Sequence, residues 1–171
     1  YLAELREATL TFLYRLLFVL YAEDRDLLPT RHPGYDDYSL DKKVRGEIAA
    51  RLDAGDVLSD KRNTYDHHLR GLWSQIDGGD TSIGLPPYNG GLFAAARSPL
   101  LERTKLPDDR FAPLFDALSR VSADTGADRR RLNYRDLSVQ HLGSIYERLL
   151  DFDLAALGQG IAVRPHPFAR K

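Results

Sequence analysis

Few residues in this chain have the types and the spacing that catalysis requires. Asp36, Asp41 and Lys43 follow the order of a metal-dependent nuclease centre, in which two carboxylates hold the ion and a lysine polarises a phosphate. Asp41 and Lys43 nevertheless fall at a predicted helix start, where an aspartate is expected beside the positive end of the helix dipole. A divergent nuclease would require the three side chains to converge on a strand-built site, so we expect no nuclease centre here.

The other candidate catalytic groups are isolated in the sequence. His67 and His68 are adjacent, so on a helix they point in different directions and do not share a metal as an i, i+4 pair does. Residues 85–88 (LPPY) are similar to the Asn/Asp-Pro-Pro-Tyr motif of amino-methyltransferases, but a leucine cannot accept a hydrogen bond from an exocyclic amine. A rigid turn is the better interpretation. We therefore assign no catalytic, cofactor-binding or metal-ligating residue.

One electrostatic feature precedes the last predicted helix. Arg129, Arg130 and Arg131 are consecutive, and Arg135 follows four residues later. An exposed cluster of this kind can neutralise a few phosphates of double-stranded DNA, which predicts a contact with the DNA backbone. The alternative is a solvated run of charge that nearby carboxylates offset, namely those of Asp124, Asp128 and Asp136.

The composition limits the remaining classes of function. The 171 residues carry 24 basic and 25 acidic side chains, so the chain has no global attraction for nucleic acid or for an acidic membrane. It contains no cysteine, which excludes disulfides and thiolate metal sites. The longest apolar stretch, residues 12–22, is interrupted by Arg15 and is about half of the roughly 20 residues that a membrane span needs. We expect a soluble, cytoplasmic domain without a membrane partner.

Hydrophobic periodicity predicts an all-α fold, an irregular bundle of about five to six helices. The predicted helices cover residues 1–26, 39–55, 60–76, 107–121 and 138–151. A long loop over residues 77–91 contains five glycines and two prolines and is expected to pack down through Tyr88. We divide the chain into a helical domain over residues 1–157 and an extended tail over residues 158–171, which holds at most a short strand and leads toward a further domain.

Three segments of the chain together resemble a known protein region. They are residues 13–29 (LYRLLFVLYAEDRDLLP), 88–93 (YNGGLF) and 132–150 (LNYRDLSVQHLGSIYERLL). In this order and at this spacing they resemble the helical connector that precedes the methyltransferase domain in adenine-specific DNA methyltransferases of restriction-modification and phage-defence systems, including type IIG and Eco57I-like enzymes. The combination covers most of the chain, and each segment alone is unspecific.

The resemblance implies an architecture in which a nuclease domain often comes first, followed by the connector, the methyltransferase domain and a target-recognition domain. The whole protein would use S-adenosylmethionine in a prokaryotic cytoplasm, and the neighbouring methyltransferase domain would be the partner of this chain. Residue 171 precedes any cofactor motif or catalytic Asn-Pro-Pro-Tyr, so no catalytic residue is carried over and the fragment itself is expected to be inactive. The implied signature residues for packing between domains are Tyr88, Asn89, Gly90, Gly91, Phe93, Leu142, Gly143, Tyr146 and Glu147.

Physical roles for the signature residues of the last helix follow from their types. Gly143 would permit close approach of another helix, while Tyr146 and Glu147 would pack and hydrogen-bond against residues 88–93 or against the neighbouring domain. The alternative to a connector of a methyltransferase is a helical module that binds another protein and has no role in nucleic-acid binding. An exposed apolar face without a nearby basic patch would favour that alternative.

Overall fold

The structure, a computed structural model, describes residues 1–88, 90–122, 129–157 and 160–165. Most of these residues are helical, and each of the five predicted helices is found with shifted ends. The six α-helices of the described chain are α1 (Leu2–Asp24), α2 (Gly46–Asp53), α3 (Thr64–Gly78), α4 (Pro99–Arg103), α5 (Asp108–Ser119) and α6 (Val139–Leu150). A π-helical turn, Asp41–Arg45, leads directly into α2.

Helix α1 runs through the centre of the core because its second half is apolar on nearly every side. Leu16 and Leu20 are fully buried. The ring of Phe12 meets Trp73 of α3 and Phe111 of α5 edge to face, with centroids 5.7 and 6.3 Å apart. Each such buried side chain stabilises the fold by about 1.5–3 kcal/mol relative to an exposed one. Helices α1, α3 and α5 therefore share one core.

The prediction of an all-α fold is wrong in one respect, because two antiparallel hairpins accompany the helices. Strand β1 (Arg120–Ser122) pairs with β2 (Arg129–Arg131), and β3 (Phe152–Leu157) pairs with β4 (Gly160–Pro165). The second hairpin joins the end of the predicted helical domain to the start of the predicted tail. Residues 158–159 and 166–171 of that tail lie outside the described residues. Each strand is short, three or six residues, and none alternates between apolar and polar residues over the roughly four or more positions that predict a strand, so periodicity does not identify it.

The glycine- and proline-rich loop packs onto the helices, as predicted. The N–H of Tyr88 donates to the carbonyl of Ile76 at 2.9 Å, which returns the loop to the end of α3. Gly79 has a φ of 73°, and a Cβ there would lie 2.7 Å from the backbone nitrogen of Pro87. Only glycine allows both this conformation and this approach.

Candidate functional site

The arginines of the predicted cluster reach carboxylates on other elements. Arg129 and Arg131 lie on one face of β2, because side chains alternate along a strand. Arg131 is 2.9 Å from a carboxylate oxygen of Asp24 and 2.9 Å from one of Asp41. Arg129 forms an ion pair with Asp116 of α5. These two cations are therefore already paired inside the molecule.

Arg135 and Arg130 have contrasting surroundings. Arg135 donates from Nε to the carbonyl of Asp24 at 2.7 Å and pairs with Asp26 at 2.8 Å. Arg130 alternates to the other face of β2, where its exposed side chain forms neither a hydrogen bond nor an ion pair with any described residue. The contact between the cluster and DNA stays a prediction. Arg130 is the arginine of the cluster for which no carboxylate of the described residues competes with a phosphate.

The electrostatics of α1 explain why the arginines fold onto it. The helix ends in Glu23 and Asp24, Asp26 follows, and its last turn holds no basic residue. Carboxylates at the negative end of a helix dipole are unfavourable by about 0.3–1 kcal/mol each. Cations from elsewhere in the chain must offset this cost. Arg135, within the third resembling segment, and Arg131, directly before it, provide that charge.

Glu23 organises the segment that leads into α2. Its two carboxylate oxygens accept the N–H groups of Leu40 and Asp41, each at 2.9 Å, and the hydroxyl of Tyr35 at 2.9 Å. Burial raises the pKa of Glu23, against the lowering effect of these hydrogen bonds. Because the folded pKa is raised, this carboxyl contributes stability below the ordinary glutamate pKa and loses that contribution as the pH rises through the folded value.

A cleft of about 440 Å³ opens between the end of α1, the π-helical turn and β2. Its walls carry both signs of charge in similar number: Glu23, Asp24, Asp26, Asp41, Lys42, Arg131 and Arg135. A phosphate that entered the cleft would compete with carboxylates for every cation there. We therefore interpret the charged residues of this cleft as ion pairs that hold α1, the π-helical turn and β2 together.

Arg15 fixes the second signature segment from inside the core. Its side chain is 1% exposed. Its guanidinium donates to the carbonyls of Leu92 and Ala94 at 2.7 and 3.0 Å, and to Glu102 at 2.9 Å. The same group lies 4.9 Å from the centroid of the Trp73 ring, which adds a cation–π interaction. One buried side chain thus ties α1 to the loop and to α4.

The aromatic residues of the YNGGLF segment pack onto the same helix. Phe18 of α1 meets the rings of Tyr88 and Phe93 edge to face, at centroid distances of 5.8 and 5.3 Å. The Tyr88 hydroxyl donates to the carbonyl of Leu27 at 2.9 Å. Phe93 is buried and Tyr88 is half-buried. Tyr88 and Phe93 therefore stabilise the packing of this segment against α1.

The glycines of the segment form the turn that brings these rings to α1. Gly91 has a φ of 72°, in the left-handed region that other residues rarely adopt. The N–H of Gly90 donates to the carbonyl of Tyr88 at 2.8 Å. Asn89 lies outside the described residues. The described glycines therefore have a conformational role.

The third signature segment also packs on α1. The N–H of Tyr134 donates to Asp24 at 2.8 Å. The Tyr146 ring lies 4.7 Å from that of Tyr14, whose hydroxyl donates to the Tyr146 carbonyl at 3.2 Å. Burial raises the pKa of Tyr146 to about 12. Leu142 is buried against the core.

Among the described residues, two of the contacts considered for α6 are not found, while the contacts considered with a neighbouring domain stay a prediction. A Cβ at Gly143 would meet no described atom within 4 Å, so close helix approach does not explain this glycine. Tyr146 packs against Tyr14 of α1 instead of the loop at residues 88–93. Glu147 is exposed and forms no hydrogen bond or ion pair with a described residue.

The structure does not assemble the residues considered for nuclease chemistry. Asp36 forms an ion pair with Lys42, and Lys43 pairs with Asp37 at 2.9 Å. Asp41 lies in the π-helical turn, beside Arg45 at 3.2 Å. None of the three candidates is on a strand, so the requirement for a nuclease centre is not met.

The remaining chemical candidates have structural surroundings. His68 contacts the carbonyl of Tyr38 at 3.0 Å, and burial lowers the pKa of this histidine, while His67 is exposed. Leu85 forms an isolated antiparallel bridge with Asp80, so the turn lies at residues 81–84, directly before the LPPY segment, and not within it. Within the described ranges, no group of three or more histidine or carboxylate side chains is arranged to hold a metal ion.

Comparison with known proteins adds no family to this picture. No family model, curated protein or solved structure matches the chain. Among the described residues, no helix has the length and apolar character to cross a membrane. The argument for function therefore rests on the residues and their contacts.

Sequence reasoning missed the two side chains that join the signature segments, Arg15 and Asp24. Arg15 was visible as a single charge inside the apolar stretch at residues 12–22, and a charge on a core helix requires buried partners. Asp24 was visible as a carboxylate at the unfavourable end of a helix. Neither signal identifies the partner, which lies 77 residues away for Arg15 and 110 residues away for Asp24.

Proposed function

We propose that this chain is the helical connector of an N6-adenine DNA methyltransferase of a restriction-modification or phage-defence system. The observation that carries the proposal is the convergence of all three resembling segments on α1. Arg15 holds the YNGGLF segment, and Asp24 and Tyr14 hold the segment that includes α6. Each segment alone is unspecific, and only the combination resembles the family. Because the three segments pack together, they form one structural unit, which supports a resemblance in architecture.

The proposed role is that of a scaffold. Aromatic contacts and buried ion pairs link α1 to the loop, to α4 and to α6, so the elements are expected to move together. Such a unit would hold the methyltransferase domain relative to the other domains of the whole protein. The methyl donor, S-adenosylmethionine, would bind in the methyltransferase domain, and the connector would itself neither methylate nor cleave DNA.

A contact with the DNA backbone is the second part of the proposal. Arg130 is exposed on β2 without a carboxylate partner among the described residues. Arg131 and Arg135 are about half exposed although paired. A few such cations add salt-dependent, sequence-independent affinity to a protein that recognises its site elsewhere.

Methyl transfer by the whole protein tests the proposal. The protein that carries this chain is incubated with DNA and S-adenosylmethionine labelled on the methyl group, and the DNA is digested to nucleosides. Label in N6-methyladenine is expected. Recovery of no label from a folded protein that binds S-adenosylmethionine, on DNA of diverse sequence, would refute the methyltransferase context.

The scaffold role has a test of its own in the whole protein. Asp24→Asn removes charge at the joint between α1, Arg131 and Tyr134, and is expected to lower the temperature at which methylation is lost. Asp60→Asn is the matched control, since this carboxylate is exposed and forms no hydrogen bond or ion pair with the side chain of a described residue. Equal thermal profiles for the two variants would contradict the scaffold role.

A helical protein-interaction module is the second candidate, and one observation favours it. The hairpin β3–β4 exposes apolar side chains such as Phe152 and Val163. The two candidates differ in DNA binding, because a module of this kind has no affinity for a duplex at low salt. Salt-sensitive binding that is lost on changing the four arginines to alanine would favour the connector.

A further inference from the structure

The hairpin β3–β4 has one face composed only of apolar residues. Cross-strand neighbours share a face of a sheet, and three such pairs alternate with the others: Phe152 with Pro165, Leu154 with Val163, and Ala156 with Ile161. We call these six residues the hairpin face. Phe152, Ile161 and Val163 are 47%, 48% and 67% exposed. A two-stranded hairpin is marginally stable in water unless its apolar face packs against something.

An apolar groove borders the hairpin face. It has a volume of about 160 Å³ and lies between β3, the end of α6 and the first half of α1. Leu10 and Leu13 of α1 contribute to its wall, together with Phe152, Leu154 and Val163 of the hairpin. Ile161 does not line this groove, although it belongs to the same face. The surface therefore presents an apolar projection beside an apolar recess.

We propose that the hairpin face is the interface with a second copy of this chain, related by a two-fold axis, in which Ile161 of each copy enters the groove of the other. In a two-fold interface the same patch faces itself, so a projection and a recess side by side are self-complementary. This inference goes beyond the proposed function and does not depend on it.

The area of the hairpin face fits that occupant. Its exposed side chains present roughly 400 Å² of apolar surface, taking the usual areas of such side chains. A standard protein interface buries about 800 Å² per partner, of which a little more than half is apolar. The charges that flank the face along the chain are those of Glu147, Arg148, Asp151, Asp153 and Arg164, and Arg6 of α1 pairs with Asp153 at 3.0 Å, so the six side chains carry three charges of each sign. Identical copies would therefore not repel one another across the axis.

Sedimentation of the chain tests the proposal across the micromolar range. We expect a mass twice that of the 19.3 kDa chain, and a monomer at the same concentrations for Ile161→Asp. Val57→Asp is the matched control, because Val57 is an exposed valine in a loop far from the hairpin in the sequence, and it should remain dimeric. A monomeric wild-type chain overturns the proposal, and so does a folded Ile161→Asp variant that stays dimeric.

A cross-link keeps the proposal testable if Ile161→Asp unfolds the hairpin. The chain has no cysteine, so the double variant Leu10→Cys, Ile161→Cys introduces the two thiols needed for one defined bond. Mild oxidation is expected to give a covalent dimer on a non-reducing gel, while Leu10→Cys, Val57→Cys stays monomeric. Disulfide formation requires Cα atoms within about 7 Å, so equal yields of cross-linked dimer from both double variants would overturn the proposed contact. If another region of a longer protein covers the hairpin face, the chain would be monomeric in both experiments, and the proposal of a two-fold dimer would be wrong.

Discussion

Replacing Arg15 by methionine is expected to destabilise the chain by about 3–5 kcal/mol. Methionine keeps the apolar stem of the side chain and removes the guanidinium. The part-buried carbonyls of Leu92 and Ala94 then lose their donors, and an acceptor left unpaired in the interior costs about 1–3 kcal/mol. The ion pair with Glu102 adds less, since that carboxylate is one-third exposed and screened by solvent.

Urea unfolding followed by fluorescence measures this loss directly. The single tryptophan, Trp73, lies under the Arg15 guanidinium and reports on the same part of the core. Arg103→Met is the matched control, because Arg103 is exposed, and it should change the free energy of unfolding by less than about 0.5 kcal/mol. Arg15→Lys should fall between the two, since one ammonium cannot reproduce three directed hydrogen bonds. If Arg15→Met lowers the free energy of unfolding by less than about 1 kcal/mol, Arg15 does not hold α1, the loop and α4 together.

Three further predictions test the charges, the tyrosines and the glycines. Arg130→Ala should weaken binding to nonspecific duplex DNA and reduce the salt slope by about one, without lowering the free energy of unfolding; unchanged affinity would exclude this arginine as a contact. The pKa of Tyr134 and that of Tyr146 are raised to about 12, so both phenols stabilise the fold fully below the unfolded value of about 10, and this stability is lost as the pH rises toward 12. Burial also raises the pKa of Tyr35, so absorbance at 295 nm should show these three tyrosines ionising late and together with unfolding. Gly143→Ala should raise stability by about 0.5–1 kcal/mol because its Cβ meets open space, whereas Gly34→Ala should lower it because its Cβ would lie 2.6 Å from Ile83; thermal unfolding that ranks the two variants the other way would contradict this.

The helices were predictable because their apolar residues repeat locally. Helix α1 was predicted over residues 1–26 and is found at Leu2–Asp24, and α6 was predicted over 138–151 and is found at Val139–Leu150. The helix predicted from residue 39 begins with the π-helical turn that precedes α2, and the hydroxyl of Ser39 accepts the N–H of Lys42 at 3.2 Å. Local spacing and capping chemistry are sufficient for such elements.

The hairpins were not predictable in the same way. Strand β2 consists of three arginines, which give no alternation of apolar and polar residues. Strand β3 is nearly continuous in apolar residues, including two alanines that also suit a helix, so only the short strand expected in the tail pointed to this hairpin. The same limit applies to the site, where each arginine of the predicted cluster was visible but its carboxylate partner was not.

The contacts of Asp24 explain why two segments that are distant in the sequence occur together. The YAEDRD sequence places carboxylates at the end of α1, where the helix dipole disfavours them. The NYRD sequence supplies the N–H of Tyr134, at 2.8 Å from Asp24, and the guanidinium of Arg135, which donates to the backbone carbonyl of Asp24. The carboxylates of the first sequence destabilise the end of α1 when they are alone. The donors of the second sequence offset this cost. A pattern of this kind supports a shared architecture, and under the proposed function the chemistry of methyl transfer would belong to a neighbouring methyltransferase domain.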